Sequence, residues 1–417
     1  MRNRQPTPGK EGRVLITPED GSPPFYAKLE MADDPLDPGT PLNKATLLSD
    51  TTADLIASGG TPPQTVNEAL MMLYTLFSFV PAGSSRIIIR VLDEQRRPIQ
   101  SAVVLINGTI IYTNSLGVAS ADNDDGEFSI ELFAGIGYSD WGKTQQFSIP
   151  TGSIRLFDFV VSDAPTGDII IKNTASYVIS SHISSVDACV VGAGGNGAEI
   201  RYYYKENRSY VIFACGGAGG YVKNELSIPV SGGFAEVVVG KSSTDVRNSV
   251  LKISGRTIQA NGGSDGFVKG GNFELDDTAP SGGCGVGGGG VIDIDTEQVS
   301  VGKGGENGSN GEYPGGNVKA GAGQSDTTRA FGTGELYSGA AAALVYTRDF
   351  AQKDHFGQPG AGGAVAKYTM HNDDCHGEDA TVPGGGGGLA LVLVDNNQKD
   401  GKPYKGMGGD GIVRIRW

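Results

Sequence analysis

The stretch Val186-Asp-Ala-Cys-Val-Val-Gly-Ala-Gly-Gly195 contains a strand-like apolar run followed directly by a glycine cluster. Its first part, through Val191, is rich in apolar and β-branched residues and predicts a buried strand. Its second part is glycine-rich, which suits backbones that approach more closely than a Cβ atom would allow. Further clusters follow, from Gly216–Gly220 to Gly384–Gly388. The sequence therefore predicts a mostly β, multidomain fold in which glycine forms part of a packed scaffold.

Glycine is concentrated in the C-terminal part of the chain. Of 66 glycines in 417 residues, 14 lie in residues 1–166 and 52 in residues 167–417. Collagen is excluded, because only 20 prolines are present and no Gly-X-Y period continues for long. The alternative, a flexible linker, does not explain the apolar runs Ala340–Val345 and Leu389–Val394 embedded in the glycine.

Packed glycine clusters predict polyglycine-II-like helices, which have three residues per turn and hydrogen-bond side by side through their peptide groups. The spacing of Gly282, Gly285 and Gly288 would align one face of such a helix. The closing run Ile412–Trp417 alternates polar and apolar residues, so we expect a final strand with one polar and one apolar face.

Residues 1–82 predict a small α/β module. Two β-prone runs, Val14–Thr17 and Phe25–Met31, precede the capping box Thr65-x-x-Glu68, which opens a helix predicted over Val66–Val80. Because this helix is apolar nearly all round, it is either the central helix of a small domain or part of a bundle formed by several chains. The contact residues of such a bundle would be Leu70, Leu73, Phe77 and Val80.

Residues 83–165 predict an Ig-like β-sandwich, because short β-rich segments alternate with turn signals such as Asn107-Gly108. These segments are Arg86–Leu92, Ala102–Ile106, Thr109–Tyr112, Glu127–Phe133 and Ile154–Val161. Their order resembles the carboxypeptidase-regulatory-like family of Ig-type sandwiches. The resemblance implies a spacer or presentation module.

Residues 166–417 carry a more specific pattern. Val186–Gly195, Ala235-Glu-Val-Val-Val-Gly240 and the closing Gly408-Gly-Asp-Gly-Ile-Val-Arg-Ile-Arg-Trp417 together resemble the glycine-rich C-terminal domain of phage and prophage tail fibres. The opening Pro8–Gly21 is similar to N-terminal regions of tail proteins from phages of Gram-positive hosts. The resemblance implies a homotrimeric virion protein at the tail or baseplate periphery, assembled in the host cytoplasm. Its N-terminal part would dock to tail or baseplate proteins, and its glycine-rich tip would bind a host surface glycan or protein.

Four inserts with few glycines interrupt the glycine-rich region: 198–210, 272–279, 329–356 and 367–380. Aromatic rings bury a large area at low entropy cost and anchor interfaces, so the rings in these inserts are candidates for receptor binding. The alternative is that they simply cover the glycine layer. The candidates are Tyr202, Tyr203, Tyr204, Arg208, Phe350, His355, Phe356, Tyr368 and His371.

The chain is acidic, with 33 Lys and Arg against 47 Asp and Glu and a net charge of −14, which argues against nucleic-acid partners. We expect no membrane insertion, because the longest nearly apolar run, Ala69–Val80, is too short to cross a bilayer. Because the start Met1–Pro6 is polar, we expect no secretory signal. Four cysteines without a CxxC pattern fit synthesis in a reducing cytosol.

No catalytic motif, cofactor or metal site is predicted. Possible metal ligands cluster within six residues: His371, Asp373, Asp374, Cys375 and His376. Their spacing matches no standard zinc site, so a polar loop is favoured. Asp122–Gly126 lacks the glycine and glutamate positions of a calcium loop and is interpreted as a hairpin turn.

Two alternatives to a phage adhesin remain open. The first is a tail enzyme that degrades polysaccharide, which would need a pair of carboxylates in a groove. Candidates for that pair are Asp276, Asp277, Asp373, Asp374 and Glu378. The second is the equivalent adhesin of a tailocin or other contractile particle, which the sequence does not separate from a phage protein.

Overall fold

The computed structural model divides into two compact units, Met1–Ser78 and Phe79–Trp417. The three predicted domains, 1–82, 83–165 and 166–417, stay predictions. The residues that the structure describes are 13–16, 25–28, 62–63, 65–77, 81, 83–139, 141–204, 211–270, 281–283, 290–293, 298–301, 328–347, 355–356, 359–360, 362–365, 367–370, 374–395 and 401–417. Within them the fold is mostly β, as predicted.

The first unit contains an antiparallel pair, β1 (Arg13–Ile16) and β2 (Phe25–Lys28), and a helix, α1 (Val66–Phe77). The predicted capping box is confirmed. The amide of Thr65 donates to Glu68 Oε2 at 3.2 Å, and the amide of Glu68 donates to Thr65 Oγ1 at 3.1 Å. These two bonds satisfy amides that a helix start otherwise leaves unpaired. Residues 78–80 of the predicted helix lie outside the described residues.

The next part of the chain is the predicted β-sandwich, made of two sheets with strand orders β6-β3-β9 and β5-β4-β7-β8. Its strands are β3 (Ser85–Asp93), β4 (Val103–Ile106), β5 (Thr109–Tyr112), β6 (Val118–Asn123), β7 (Glu127–Phe133), β8 (Lys143–Ser148) and β9 (Ile154–Val161). Strands β3 and β9 run parallel. The Asn107-Gly108 turn joins β4 to β5, with φ of 50° and 77° at its two residues, as a two-residue hairpin turn of this type requires.

The interpretation of Asp122–Gly126 as a hairpin turn was wrong. The strands on either side of it, β6 and β7, belong to different sheets, so the segment crosses from one layer of the sandwich to the other. Its acidic residues have local partners: Asp122 pairs with Arg86 at 2.6 Å, and Asp124 Oδ1 accepts the Ser84 hydroxyl at 2.5 Å. Local composition indicated a turn, but the choice between a hairpin and a crossing depends on which strands pair.

Two four-stranded sheets follow, with orders β10-β28-β12-β15 and β11-β16-β17-β18. We call these eight strands the base. They are β10 (Asp168–Ile171), β11 (Ala175–Ile179), β12 (Ser185–Val191), β15 (Val222–Pro229), β16 (Gly233–Val238), β17 (Ser249–Ile253), β18 (Arg256–Ala260) and β28 (Ile412–Arg416). One hydrophobic cluster joins the base to the sandwich, because Val103, Phe133 and Ile136 of the sandwich pack with Tyr177 and Ile179 of the base.

The closing strand β28 pairs with β10 on one side and β12 on the other, which places the end of the chain inside a sheet. Val413 and Ile415 are fully buried in the base core, so the apolar face is as predicted. The other face, which carries Arg414 and Arg416, is covered by the ring of Phe331. Phe331 lies in a short 3-10 helix, Ala330–Gly332.

The remaining strands extend from glycine clusters and form two larger sheets, β13-β26-β24 and β19-β14-β22-β23, with two smaller pairs, β20-β21 and β25-β27. They are β13 (Glu199–Tyr204), β14 (Val211–Cys215), β19 (Val268–Gly270), β20 (Gly290–Asp293), β21 (Gln298–Val301), β22 (Ala343–Thr347), β23 (His355–Phe356), β24 (Lys367–Met370), β25 (Cys375–His376), β26 (Ala390–Asp395) and β27 (Pro403–Tyr404).

Candidate functional site

Glycine-rich segments between the base and these outer strands pack side by side, and we call them the glycine bundle. Its segments are 192–198, 216–221, 261–267, 338–342, 384–389 and 404–411. The amide of Gly192 donates to Tyr221 O at 2.9 Å, and three residues later Gly195 donates to Ala218 O at 2.8 Å. The same neighbour is therefore reached once every three residues, with the two segments antiparallel.

Other residues of segment 192–198 form hydrogen bonds with other segments of the bundle. Gly194 donates to Gly409 O at 2.8 Å, and Gly197, again three residues later, donates to Gly406 O at 2.9 Å. On a third side, the amide of Gly263 donates to Ala193 O at 2.8 Å. A β-strand bonds only the two strands beside it, whereas a helix with three residues per turn directs its peptide groups to more neighbours. This pattern confirms the predicted polyglycine-II-like packing.

Close backbone contact explains why the bundle needs glycine. A Cβ atom at Gly194 would overlap with the carbonyl group of Gly385, and one at Gly217 would overlap with the carbonyl group of Gly195. These neighbours are backbone atoms, which cannot rotate away as a side chain can. The entropy that glycine loses on folding is therefore offset by hydrogen bonds that larger residues would prevent.

The buried side chain of Asn196 links its own segment to segment 404–411 of the bundle. Asn196 Nδ2 donates to Ser242 O at 3.1 Å, and Asn196 Oδ1 accepts the amide of Gly408 at 3.0 Å. The Asn196 amide donates to Asp265 Oδ1 at 2.6 Å, and Asp265 also forms a two-bond ion pair with Arg247. Burial alone would raise the pKa of Asp265, but the Arg247 and Asn196 hydrogen bonds outweigh burial and lower it.

The outer strands leave the bundle at a single end, opposite the base, which we call the distal end. Base strand β12 runs into segment 192–198, which continues outward as β13, and segment 384–389 continues as β26. Strand β13 is parallel to β26, and β24 is parallel to β26 as well, so all three point away from the base. Strand β14 runs antiparallel to β22 and returns the chain to the bundle.

The sheet β13-β26-β24 brings together four predicted site residues. Its register places Tyr202 opposite Leu393, Tyr203 opposite Val394 and Tyr204 opposite Asp395, while Tyr368 lies opposite Leu391. Tyr368 is far from Tyr202–Tyr204 in sequence, and parallel pairing to the central strand β26 brings it onto the same sheet.

Two further predicted residues, His355 and Phe356, lie in the other distal sheet, opposite Val345 and Leu344 of β22. His355 and Phe356 therefore lie at the same end of the bundle as the tyrosines, but on a separate sheet. The predicted residues Arg208, Phe350 and His371 lie outside the described residues.

The sequence did not single out Tyr404, which stacks on His376. The two ring centres are 4.5 Å apart and the ring planes differ by 8°. The rings sit on the parallel pair β25-β27, where Cys375 is opposite Pro403 and His376 is opposite Tyr404. Cys375, on the inner side, packs with Ala390 and Val392 of β26. In the sequence, His376 stood out only as one of the possible metal ligands at residues 371–376, and no pattern pointed to Tyr404.

The cysteines of the described residues are free and buried: Cys189, Cys215 and Cys375. Burial raises the pKa of all three thiols, that of Cys189 to about 12. A thiol with a raised pKa is a poor nucleophile and a poor metal ligand at neutral pH. Among the described residues no cluster of three His, Cys, Asp or Glu side chains could hold a metal ion.

The carboxylates considered for a tail enzyme are engaged where the structure describes them. Asp374 Oδ1 accepts the amide of Lys402 at 2.7 Å, and Glu378 pairs with Lys367 at 2.6 Å. Asp276, Asp277 and Asp373 lie outside the described residues. The two described carboxylates therefore have structural partners.

In the part of the chain that the structure describes, no helix has the length and apolar character needed to span a membrane.

A family model described as Glycine-rich domain matches residues 170–417. The chain belongs to this glycine-rich domain family. The matched residues begin at Ile170 in β10 and contain most of the base, the glycine bundle and the distal sheets. The family thus covers the part of the molecule that holds the candidate site. No curated protein matches the sequence.

Solved structures are only distantly similar. A streptococcal ancillary pilin is 8% identical with a TM-score of 0.20 over 47% of this chain, and the match covers 60% of the pilin chain. A DUF3823 family protein from Parabacteroides merdae is 8% identical with a TM-score of 0.17, over 43% of this chain and 96% of that one. The Bacillus anthracis TIE protein is 10% identical with a TM-score of 0.19, over 76% of this chain and 51% of that one. Likenesses at these scores carry no argument about function.

Proposed function

We propose that this glycine-rich domain protein is a structural adhesin of a phage or phage-like particle, a tail fibre or receptor-binding protein that recognises the host surface through its distal end. One observation carries the proposal: the glycine bundle aligns Tyr202, Tyr203, Tyr204 and Tyr368 on one sheet at the end opposite the base. A rigid scaffold that presents aromatic residues at one end suits recognition of an external partner.

The scaffold itself supports a structural role. Its cysteines in the described residues are buried, Asp374 and Glu378 near the distal end have structural partners, and its core is continuous with the sandwich. These features favour an adhesin over a polysaccharide-degrading enzyme, because general acid–base catalysis needs carboxyl groups free to exchange protons with a substrate.

The N-terminal unit is proposed to dock the chain to tail or baseplate proteins and to bring three copies together. Support for assembly comes from helix α1, on which Ala69 and Met72 are buried while Leu70 is 60% exposed. A helix that is apolar nearly all round has more apolar surface than one core contact covers, so the exposed Leu70 is a candidate contact with another copy. The protein would then lie at the periphery of the virion tail, after assembly in the host cytoplasm.

Competition for host cells tests host recognition. The purified full chain is added to host cells before the particle that carries it, and particle adsorption is measured. The wild-type chain should block adsorption in a saturable manner. A variant with Tyr202→Ser, Tyr203→Ser and Tyr204→Ser should lose this block, because the proposed contact residues are gone.

The matched control replaces three exposed apolar residues of the base side, Leu226, Phe234 and Val246, with serine. This variant should compete like the wild type. If the wild-type chain neither binds host cells nor competes, the adhesin proposal fails. If the control loses competition while the tyrosine variant keeps it, recognition belongs to the base and not to the distal end.

A further inference from the structure

The stacked rings of His376 and Tyr404 form an exposed aromatic surface beside the distal sheet. Both side chains are exposed, Tyr404 by 41%, although their ring centres are 4.5 Å apart. Strand β27 packs beside β13, the strand of Tyr202–Tyr204, and β25 packs beside β24. The ring pair therefore flanks the sheet that carries the proposed contact residues. Stacking leaves each ring a second face that is turned away from its partner.

The backbone beneath the rings is held in place before any ligand arrives. Asp374 Oδ1 accepts the Lys402 amide at 2.7 Å, and Asp379 Oδ1 accepts the Met407 amide at 2.7 Å, so a carboxylate ties the two chain segments together on each side of the rings. Buried Cys375 anchors the pair to β26. A surface held rigid in this way loses little entropy on binding.

Charged residues of both signs flank the two rings along the chain. Exposed Asp374, Glu378, Lys402 and Lys405 lie next to them in sequence, and Glu378 is paired with Lys367 at 2.6 Å. Cores of protein–protein interfaces are depleted in charged residues, so this composition argues against a protein partner at the rings. It suits a small ligand with one apolar face and many hydroxyl groups, because carboxylate and ammonium groups can hydrogen-bond hydroxyls while an aromatic face packs on the apolar side.

We propose that His376 and Tyr404 form a carbohydrate-binding platform, in which a sugar ring packs on an aromatic face and its hydroxyls bond the flanking charged groups. This inference rests on the proposed host-recognition function and names the ligand class of the distal end. It adds two residues that lie outside the aromatic set chosen from the sequence.

Ligand-observed NMR on the purified full chain tests the platform. The probes are methyl glucoside, methyl galactoside, methyl mannoside, N-acetylglucosamine, N-acetylgalactosamine and rhamnose, each added separately. Saturation transfer from the protein to at least one sugar is expected. Tyr404→Ala should weaken that binding about tenfold, since it removes one of the two stacked rings. Tyr404→Phe keeps the ring and should bind within about twofold of the wild type, well under one tenfold step of affinity.

The control is Phe234→Ala, which removes an aromatic ring that is 53% exposed on the base. It should leave sugar binding unchanged, and thermal unfolding of each variant verifies that the chain is folded. The proposal is overturned if no sugar binds the wild type, or if Tyr404→Ala binds as the wild type does. A wild-type chain that binds host cells but no sugar leaves the adhesin function standing and indicates a protein receptor. A chain that binds sugar but not cells leaves the platform standing and removes the adhesin function.

Discussion

The guanidinium carbon of Arg416 lies 4.3 Å from the centre of the Phe331 ring. Arg414 approaches the same ring at 5.6 Å, so two cations of the closing strand contact one aromatic ring. Phe331 adopts a φ of 51°, an uncommon conformation for a residue with a side chain. The Asn224 side chain holds it there, accepting the Phe331 amide at 2.9 Å and donating to Arg329 O at 2.8 Å. The Phe331 ring therefore covers the face of strand β28 that carries Arg414 and Arg416.

Phe331→Ala should open that face and expose Cys189, which packs in the same buried cluster. Burial raises the pKa of the Cys189 thiol to about 12 in the intact protein, so it should react slowly with a thiol reagent at pH 8. In the variant its labelling rate should rise severalfold, and the unfolding free energy should fall by about 3 kcal/mol or more. Mass mapping of the labelled peptide identifies the thiol. Unchanged labelling of Cys189 would show that Phe331 does not cover it, and Phe234→Ala serves as the exposed-ring control.

Gly194→Ala should destabilise the glycine bundle, because the new methyl group overlaps with the Gly385 carbonyl group. We expect a loss of about 3 kcal/mol in the unfolding free energy, at the upper end for overpacking. The control is Gly152→Ala, at a position with φ of +78° and open space around it, which should lose about 1 kcal/mol from backbone strain alone. Urea unfolding of both variants measures the difference. Equal losses would mean that the bundle tolerates a Cβ at this position.

The sandwich holds a buried ion pair between its parallel strands. Arg90 bonds Asp158 through two nitrogens, at 2.9 and 3.0 Å, and the side chains are only 8% and 11% exposed. Arg90→Ala leaves the Asp158 carboxylate in place without this partner and should lower the unfolding free energy by about 3 kcal/mol.

The exposed pair Lys252–Glu236, at 2.9 Å, provides the contrast. Lys252→Ala should change stability by less than about 1 kcal/mol, because water screens the pair. Denaturant unfolding measures both variants. If the Arg90 variant is as stable as the Lys252 variant, the buried pair does not stabilise the sandwich.

Asp265 should make the glycine bundle sensitive to acid. Its pKa is lowered in the folded protein, because the Arg247 and Asn196 hydrogen bonds outweigh the effect of burial. The ionised form therefore stabilises the fold above the pKa of the unfolded chain, about 3.9, and this stabilisation is lost as pH falls through the lower folded value. The stability difference between wild type and Asp265→Asn should thus be largest at neutral pH and shrink below about pH 4. Unfolding measured from pH 3 to pH 7 tests this, and a difference that stays constant with pH contradicts it.

Leu70→Ser should weaken self-association through helix α1, since Leu70 is 60% exposed there. Light scattering coupled to gel filtration should give a trimer mass for the wild type and a lower mass, or a dissociation at higher concentration, for the variant. Asn67→Ser, also at an exposed position of the helix, is the matched control and should keep the trimer. A monomeric wild type would overturn the proposed trimer.

Several features of this protein were determined by short stretches of sequence. The Thr65–Glu68 capping box, the Asn107-Gly108 turn and the strand Ile154–Val161 appear as predicted, because each depends on residues close in the chain. Strands β6 and β8 were missed. Strand β8 (Lys143–Ser148) is mostly polar and exposed, and β6 (Val118–Asn123) consists of small and polar residues after its first valine, so hydrophobic alternation gives little signal in either.

The sequence by itself thus determined the mostly β class, the capped helix and the use of glycine for close packing, since glycine spacing and side-chain type act locally. Only the tertiary structure decided that Asp122–Gly126 crosses between sheets, that Tyr202 and Tyr368 share one sheet, and that Tyr404 stacks on His376. These relations depend on which distant segments become neighbours. In a glycine bundle that choice is made by peptide hydrogen bonds, which every residue type except proline can both donate and accept, together with a few side chains such as Asn196.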